Sequence, residues 1–285
     1  MLAVVGTIPD DSFPIVAARV ALDRREMVIE GMRFPINRGT PALLAAAARA
    51  CEFLGAPMPV AYLAGDIGLG KGSRGLYKYL TDHLKDTSFD VMTFHYLQPD
   101  VDWHNRVLFT IEELTPKPLL VADAGFMYAA KMSGQSSSYD LFTPDAGELA
   151  FLADEEAPHP FYTRGFILQN EDQVPELIAR AYAHANAASY LLVKGKEDYI
   201  ACKDGISAIV SHPADEAMEA IGGTGDTLTG IVSALIDSGM DVMQAAEKAA
   251  MINRLAGHYA QPTPATRVSE IIDRIPTAMR EMMGK

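Results

Sequence analysis

Three glycine-rich strings carry the residue types that could do chemistry. The sharpest is Ile221-Gly222-Gly223-Thr224-Gly225-Asp226-Thr227-Leu228-Thr229-Gly230, which leads into an apolar run of Leu228, Ile231, Val232, Leu235 and Ile236 at helical spacing. Glycines let a backbone approach a phosphoryl group, and the first N–H groups of a helix have no partner within it. A carboxylate at that point can take a proton from a substrate hydroxyl while the amides of Gly222, Gly223, Thr224 and Gly225 meet the developing charge. The plainer alternative is an Asp cap after a flexible loop.

The second string, Gly65-Asp66-Ile67-Gly68-Leu69-Gly70-Lys71-Gly72-Ser73, nearly matches two phosphate motifs. It runs G-x-x-x-x-G-K, but Gly72 stands where a P-loop needs Ser or Thr. From Gly70 it also runs G-x-G-x-x-G to Gly75, with Asp90 about 20 residues on, as a dinucleotide fold would have it. A simple Gly-rich strand-to-helix turn explains it equally well. The third string, Thr143-Pro144-Asp145-Ala146-Gly147-Glu148, reads first as a helix start, with Thr143 as N-cap and Pro144 in the first turn. Glu148 is then a charge that complements the helix dipole.

The elements that must position these strings alternate between short apolar runs and helical patterns. Strands are expected at Val60 to Ala64, Asp90 to Tyr96, Pro118 to Ala122 and Tyr190 to Lys194, with a hairpin over Tyr199 to Cys202 and Ile206 to Val210. Helices are expected after Gly72 (Leu76, Tyr79, Leu80, His83, Leu84 on one face), over Pro175 to Ala188, Thr227 to Ser238 and Val242 to Ala260, and from Val268 to Met283, where Pro276 kinks or splits the last. Such alternation implies an α/β fold with a parallel sheet covered on both faces. Ser133 to Ser138 reads as a surface loop. No stretch has linker composition, so residues 1–285 are expected to form one domain.

Composition bounds the partners. The 285 residues carry a formal charge of −13, which argues against nucleic acid or an anionic membrane as partner. Cys51 and Cys202 form no metal spacing or disulfide framework and fit a reducing cytoplasm. Met1 to Val5 is apolar but is cut short by Asp10 and Asp11, unlike a signal peptide. The seven histidines (His83, His95, His104, His159, His184, His212, His258) show no paired spacing, so no zinc site is expected. Trp103 and His104 lie in a polar segment and read as exposed loop residues within reach of a substrate. Met240 to Leu255 offers a face for a homo-oligomer.

Gly222 to Gly230 (GGTGDTLTG) resembles the signature of the ribokinase-like superfamily, and more closely that of the ADP/ATP-dependent NAD(P)H-hydrate dehydratases, its YjeF C-terminal, carbohydrate-kinase-related branch. The resemblance is collinear. Gly39-Thr40-Pro41 and the Ala-rich run to Leu54 resemble the family's first small-residue helix. GDIGLG (Gly65 to Gly70) is similar to its G-P-G-L-G, PLLVADAGF (Pro118 to Phe126) to its strand ending in D-A-D-A-L, TPDAGE to its T-P-H-x-G-E, and LLVKG (Leu191 to Gly195) to its L-L-K-G.

The resemblance implies a three-layer ribokinase-like α/β fold and repair of hydrated NADH or NADPH, whose ring hydroxyl is phosphorylated from ADP or ATP and then eliminated. It implies Asp226 as base and Gly223, Thr224 and Gly225 as anion hole. Lys194 and Gly195 fall on the nucleotide side, and Gly68, Gly70, Asp123 and Asp145 on the substrate side. Mg²⁺ would be held by Asp145 and Glu148 through water. Departures gather on the substrate side: Asp145 for His, Gly125 for the second Asp of D-A-D-A-L, and Asp66-Ile67 at the start of G-P-G-L-G. Residues 1–36 match none of these motifs, and Phe89 to Trp103 reads as an extra segment. Two other readings share the same loop: an ATP-dependent kinase of a small alcohol, such as a sugar or vitamin precursor, and a nucleotide-binding protein without activity. A Rossmann oxidoreductase built on Gly70, Gly72 and Gly75 leaves Gly222 to Asp226 unexplained.

Overall fold

In the computed structural model, residues 1–156 and 173–284 are described. The N-terminal residues that matched no motif build the centre of the molecule. Strand β1 (Leu2–Ile8) lies between β6 (Val60–Gly65) and β7 (Val91–Phe94), parallel to both. The parallel run continues through β8 (Leu119–Ala122), β9 (Leu141–Phe142) and β10 (Tyr190–Val193). Antiparallel strands close both edges: β2 (Val16–Arg19) beside β6, and the hairpin of β11 (Asp198–Cys202) and β12 (Gly205–Val210) beyond β10. The hairpin turns at Lys203-Asp204, as its Asp-Gly signal predicts. A second sheet of β3 (Ala21–Asp23), β4 (Glu26–Ile29) and β5 (Met32–Pro35) stands apart.

Strand side chains alternate between two apolar layers. Leu2, Val4, Leu63, Val91, Val121 and Leu192 face one core, shared with helices α1 (Thr40–Leu54), α7 (Thr224–Asp237), α8 (Val242–Ala260), α9 (Val268–Ile272) and α10 (Ile275–Met283). Ala3, Val5, Ala64, Phe94, Leu120 and Val193 face the other. That core is shared with α2 (Lys71–His83), α3 (Val101–Glu112), α4 (Gly125–Met132), α5 (Ala146–Ala153) and α6 (Val174–Ala183). Both faces are covered, so β1 is almost wholly apolar rather than alternating.

Helices α1 and α7 pack closely because small residues allow it. A Cβ on Gly230 would lie 2.2 Å from the carbonyl oxygen of Leu43, so only glycine fits. Pro276 splits the last helix, as its position predicts, and sits in the first turn of α10.

Three local expectations are corrected. Trp103 and His104 are in α3 rather than an exposed loop, with the Asp100 carboxylate capping by accepting from Trp103 N at 3.1 Å. His104 is buried against Tyr139, 2.8 Å from its hydroxyl, and burial lowers its pKa to about 4. The Ser133 to Ser138 stretch includes a 3₁₀ turn with Ser136 buried. The cap of α5 is Asp145 and not Thr143, whose hydroxyl lies 2.9 Å from that of Thr229. His159 lies outside the described residues.

Candidate active site

Every parallel strand points its carboxyl end at the same rim, where ligands of open α/β sheets bind. The residues directly after these ends bear the chemistry: Asp66 after β6, His95 after β7, Asp123 after β8, Thr143 after β9 and Lys194 after β10. Helix α7 starts at this rim.

Asp226 is the third residue of α7, and its carboxylate reaches across to the loop before α1. Oδ2 accepts from the Gly39 amide at 2.6 Å, and Oδ1 lies 3.1 Å from His95 Nε2. A carboxylate only accepts, so Nε2 carries the hydrogen, and His95 Nδ1 lies within hydrogen-bond distance of Thr40 Oγ1 at 3.1 Å. Burial pushes the Asp226 pKa up. The His95 hydrogen bond, the charge of Lys194 and the Gly39 amide outweigh it, and the carboxyl is held below its ordinary value. Asp226 is therefore ionised at neutral pH and aimed by two donors.

Asp123 is buried and accepts on both oxygens. Lys194 Nζ donates at 2.7 and 2.9 Å, the Ala124 amide at 2.8 Å and Thr229 Oγ1 at 2.6 Å. Burial lowers the Lys194 pKa, but Asp123, Glu148 and Asp226 around it more than compensate and keep it charged. The sequence reading placed Lys194 on the nucleotide side and Asp123 on the substrate side; the structure joins them as an ion pair. Gly195 follows in a turn braced from α8, where Arg254 donates to the carbonyls of Gly195 and Lys196 and pairs with Asp198 at 2.7 Å. The preceding residue, Asn253, meets Thr227 Oγ1 at 2.6 Å and donates to the Thr224 carbonyl, which fixes the start of α7.

The three glycine-rich strings now separate. In the Gly65 to Ser73 loop the carboxylate of Asp66 folds back. It accepts from the amides of Gly68 (3.0 Å), Gly70 (3.0 Å) and Ser73 (2.8 Å) and from the Ser73 hydroxyl (2.8 Å). Burial would raise its pKa, yet these donors lower it. The amides expected to line the substrate side are thus occupied by the protein's own anion. In the Thr143 to Glu148 string, Asp145 and Glu148 form a capping box, each accepting from the other's backbone amide. Only the Gly222 to Asp226 loop is left open. Its N-cap, Gly223, has φ +108°, a conformation that favours glycine, and among the described residues no side chain caps α7.

Two acidic groups are candidates for a cation. Burial and then the Asp145 charge push the Glu148 pKa up to about 8, against the pull of Lys194, and a divalent ion would stabilise both charges. That chemistry fits a divalent ion beside Asp145. A second group, His95, Asp123 and Asp226, has donor atoms within 4.8 Å of one another, but His95 and Lys194 already engage both carboxylates. Sequence reasoning passed over His95, Gly39 and Thr40. His95 lies one residue beyond β7, as Asp123 lies one residue beyond β8, but the expected strand over Asp90 to Tyr96 ran past it and hid that position.

A family model described as NAD(P)H-hydrate dehydratase matches residues 98–277. The chain belongs to this family. It is 43% identical over 220 residues to an uncharacterized protein of Methanocaldococcus jannaschii, covering 77% of this chain and 90% of that one. It is 31% identical over 177 residues to the bifunctional NAD(P)H-hydrate repair enzyme of Pyrobaculum aerophilum; the match covers 61% of this chain and 32% of the enzyme's length. An ADP/ATP-dependent NAD(P)H-hydrate dehydratase from Bacillus subtilis, co-crystallized with ATP and Mg²⁺, superposes with a TM-score of 0.58 at 16% identity, over 99% of this chain and 89% of that one. The expected ribokinase-like α/β fold is the one observed. Among the described residues no helix is long and apolar enough to cross a membrane.

Proposed function

We propose that the protein is an adenine-nucleotide-dependent dehydratase that repairs hydrated NADH or NADPH, acting as one α/β unit. The observation that carries this reading is Asp226, ionised and oriented by Gly39 and His95 at the mouth of a glycine loop that, among the described residues, no carboxylate closes. Membership of the family supports this choice of substrate class.

Asp226 accepts the proton of the ring hydroxyl as the hydroxyl oxygen attacks the terminal phosphorus of ADP or ATP. The bond from that phosphorus to its bridging oxygen breaks and releases AMP or ADP. The amides of Gly223, Thr224 and Gly225 face the charge that builds on the transferred group. Inorganic phosphate then leaves with the bonding electrons of the carbon–oxygen bond, a neighbouring carbon gives up a proton to water, and the dihydronicotinamide is restored. Asp145 and Glu148 would hold Mg²⁺, directly or through water, and the ion would neutralise phosphate charge. Lys194 and Asp123 keep the floor of the cleft rigid beneath these groups.

The test is to add ADP or ATP with Mg²⁺ to purified protein and hydrated NADH, and to follow the return of NADH absorbance. Asp226→Asn should lower turnover by about 10²–10⁴-fold while the nucleotide still raises the melting temperature. Normal turnover by this variant refutes the base assignment. One observation favours a second reading, a kinase of an uncharged small alcohol: Asp66 occupies the loop amides on the substrate side. Transfer of phosphate to such an alcohol, without recovery of NADH, would select it.

A further inference from the structure

The open loop at α7 lies at a rim crowded with carboxylates. Asp123, Glu148 and Asp226 surround Lys194, and both oxygens of Asp123 bind its ammonium. A polyphosphate brought here meets net negative charge from the protein's side chains, and the cation of the cleft is already engaged. Helix amides offset part of that repulsion, but each terminal end carries only about half an elementary charge. A further cation is needed.

We infer that Arg38 supplies it, as a binding residue for the terminal phosphates of the nucleotide; the inference rests on the phosphoryl-transfer reading above. Three observations converge. First, the stem of Arg38 runs along the open loop. A Cβ on Gly222 would lie 3.2 Å from Arg38 Cδ and 3.6 Å from its Cβ, and one on Gly223 would lie 3.1 Å from Arg38 Cα. Second, Arg38 is exposed, and among the described residues its guanidinium makes no hydrogen bond or ion pair. Arg25, Arg33 and Arg49 are paired, with Asp273, with Asp23 and Glu26, and with Glu52; what sets Arg38 apart from Arg24 and Arg74, also unpaired among the described residues, is its place against the open loop. Third, the backbone of Arg38 is anchored to the reacting centre, because the next residue, Gly39, donates its amide to Asp226. The loop between β5 and α1 thus carries two functions side by side, orientation of the base and a free guanidinium. A guanidinium binds phosphate oxygens through two parallel N–H bonds, with geometry that an ammonium lacks.

Calorimetry on wild type, Arg38→Ala and Arg38→Lys with Mg–ATP, AMP and inorganic tripolyphosphate tests this. Arg38→Ala should weaken ATP and tripolyphosphate by about ten- to a hundredfold, the effect of losing charged hydrogen bonds, and should leave AMP and the melting temperature of the free protein unchanged. Arg38→Lys should recover part of the loss, since charge returns without the paired donors. Equal ATP affinity in wild type and Arg38→Ala overturns the inference, and so does an equal loss for ATP and AMP, which would mark a packing effect. Failure of wild type itself to bind any adenine nucleotide refutes the phosphoryl-transfer reading, and is told apart because it needs no variant.

Discussion

Replacing Lys194 by Met tests whether that lysine is a structural partner or a ligand contact. Lys194 has a side chain 12% exposed and Asp123 one 1% exposed, so the substitution leaves a buried carboxylate without its counter-ion. Breaking a buried pair from one side costs about 3–5 kcal/mol. Here each oxygen of Asp123 keeps one donor, Ala124 N on Oδ1 and Thr229 Oγ1 on Oδ2, which places the cost near the lower end, about 3 kcal/mol. At about 2–4 °C per kcal/mol, the melting temperature should fall by roughly 6–12 °C.

Asp123→Asn alone should cost less, about 1–2 kcal/mol, because the ammonium still has Glu148 and Asp226 within its field. The double variant should cost about 1–2 kcal/mol, no more than Asp123→Asn alone, giving a coupling energy of roughly 3 kcal/mol. The assay is denaturant and thermal unfolding of the four proteins of the cycle without nucleotide, followed by ATP titration of each. A Lys194→Met protein that melts like wild type, or a double variant no more stable than that single one, refutes the reasoning. A stable Lys194→Met protein with weakened ATP binding would return the ammonium to the nucleotide.

Two more outcomes are expected. Asp66→Asn keeps one acceptor oxygen and turns an amide group toward the Ser73 donors, so stability should drop by about 3 kcal/mol and the acid limb of a stability–pH curve should flatten. The native Asp66 pKa is lowered, so its contribution is present above the ordinary carboxylate pKa and fades as pH falls through the lower native value; a variant with an unchanged acid limb contradicts this. His95→Phe removes the donor on Asp226 Oδ1, so the acid limb of the pH–kcat/KM profile should move to higher pH with turnover down about tenfold or more, and a profile that keeps its wild-type position contradicts the pairing.

The strand–helix rhythm and the GTGD string were legible because they are local. Apolar runs of four to six residues and a glycine cluster before a 3.6-residue periodicity declare themselves within a short window. What stayed hidden is long-range. His95 and Asp226 are 131 residues apart, and Gly39 and Asp226 are 187 apart. They meet only because β1, β6, β7 and β8 align in register and α1 packs on α7 through Gly230. A search for histidines at metal-like spacing has no means to find one that serves a carboxylate across a sheet. The N-terminal residues were unplaced for a related reason: β1 is a central strand with both faces buried, so it shows neither alternation nor a motif.

The glycine loops carry a different lesson, about counting amides without counting acceptors. Gly65 to Ser73 and Gly222 to Asp226 look alike as strings, each with glycines, an aspartate and a following helix. Their difference is the place of the aspartate. Asp66 precedes its glycines by two and four residues, where an Asx-type side chain can fold back on the amides ahead of it, and it does so. Asp226 follows its glycines and sits one turn into the helix, where its side chain points away from the loop amides and reaches Gly39 and His95 instead. An acidic protein can therefore hold both loops without contradiction. In one, the fixed carboxylate accepts from the loop amides itself; in the other, it stands beside amides that no side chain of the described residues caps, where the proposed Arg38 contact and a divalent cation would make the approach of a polyphosphate favourable.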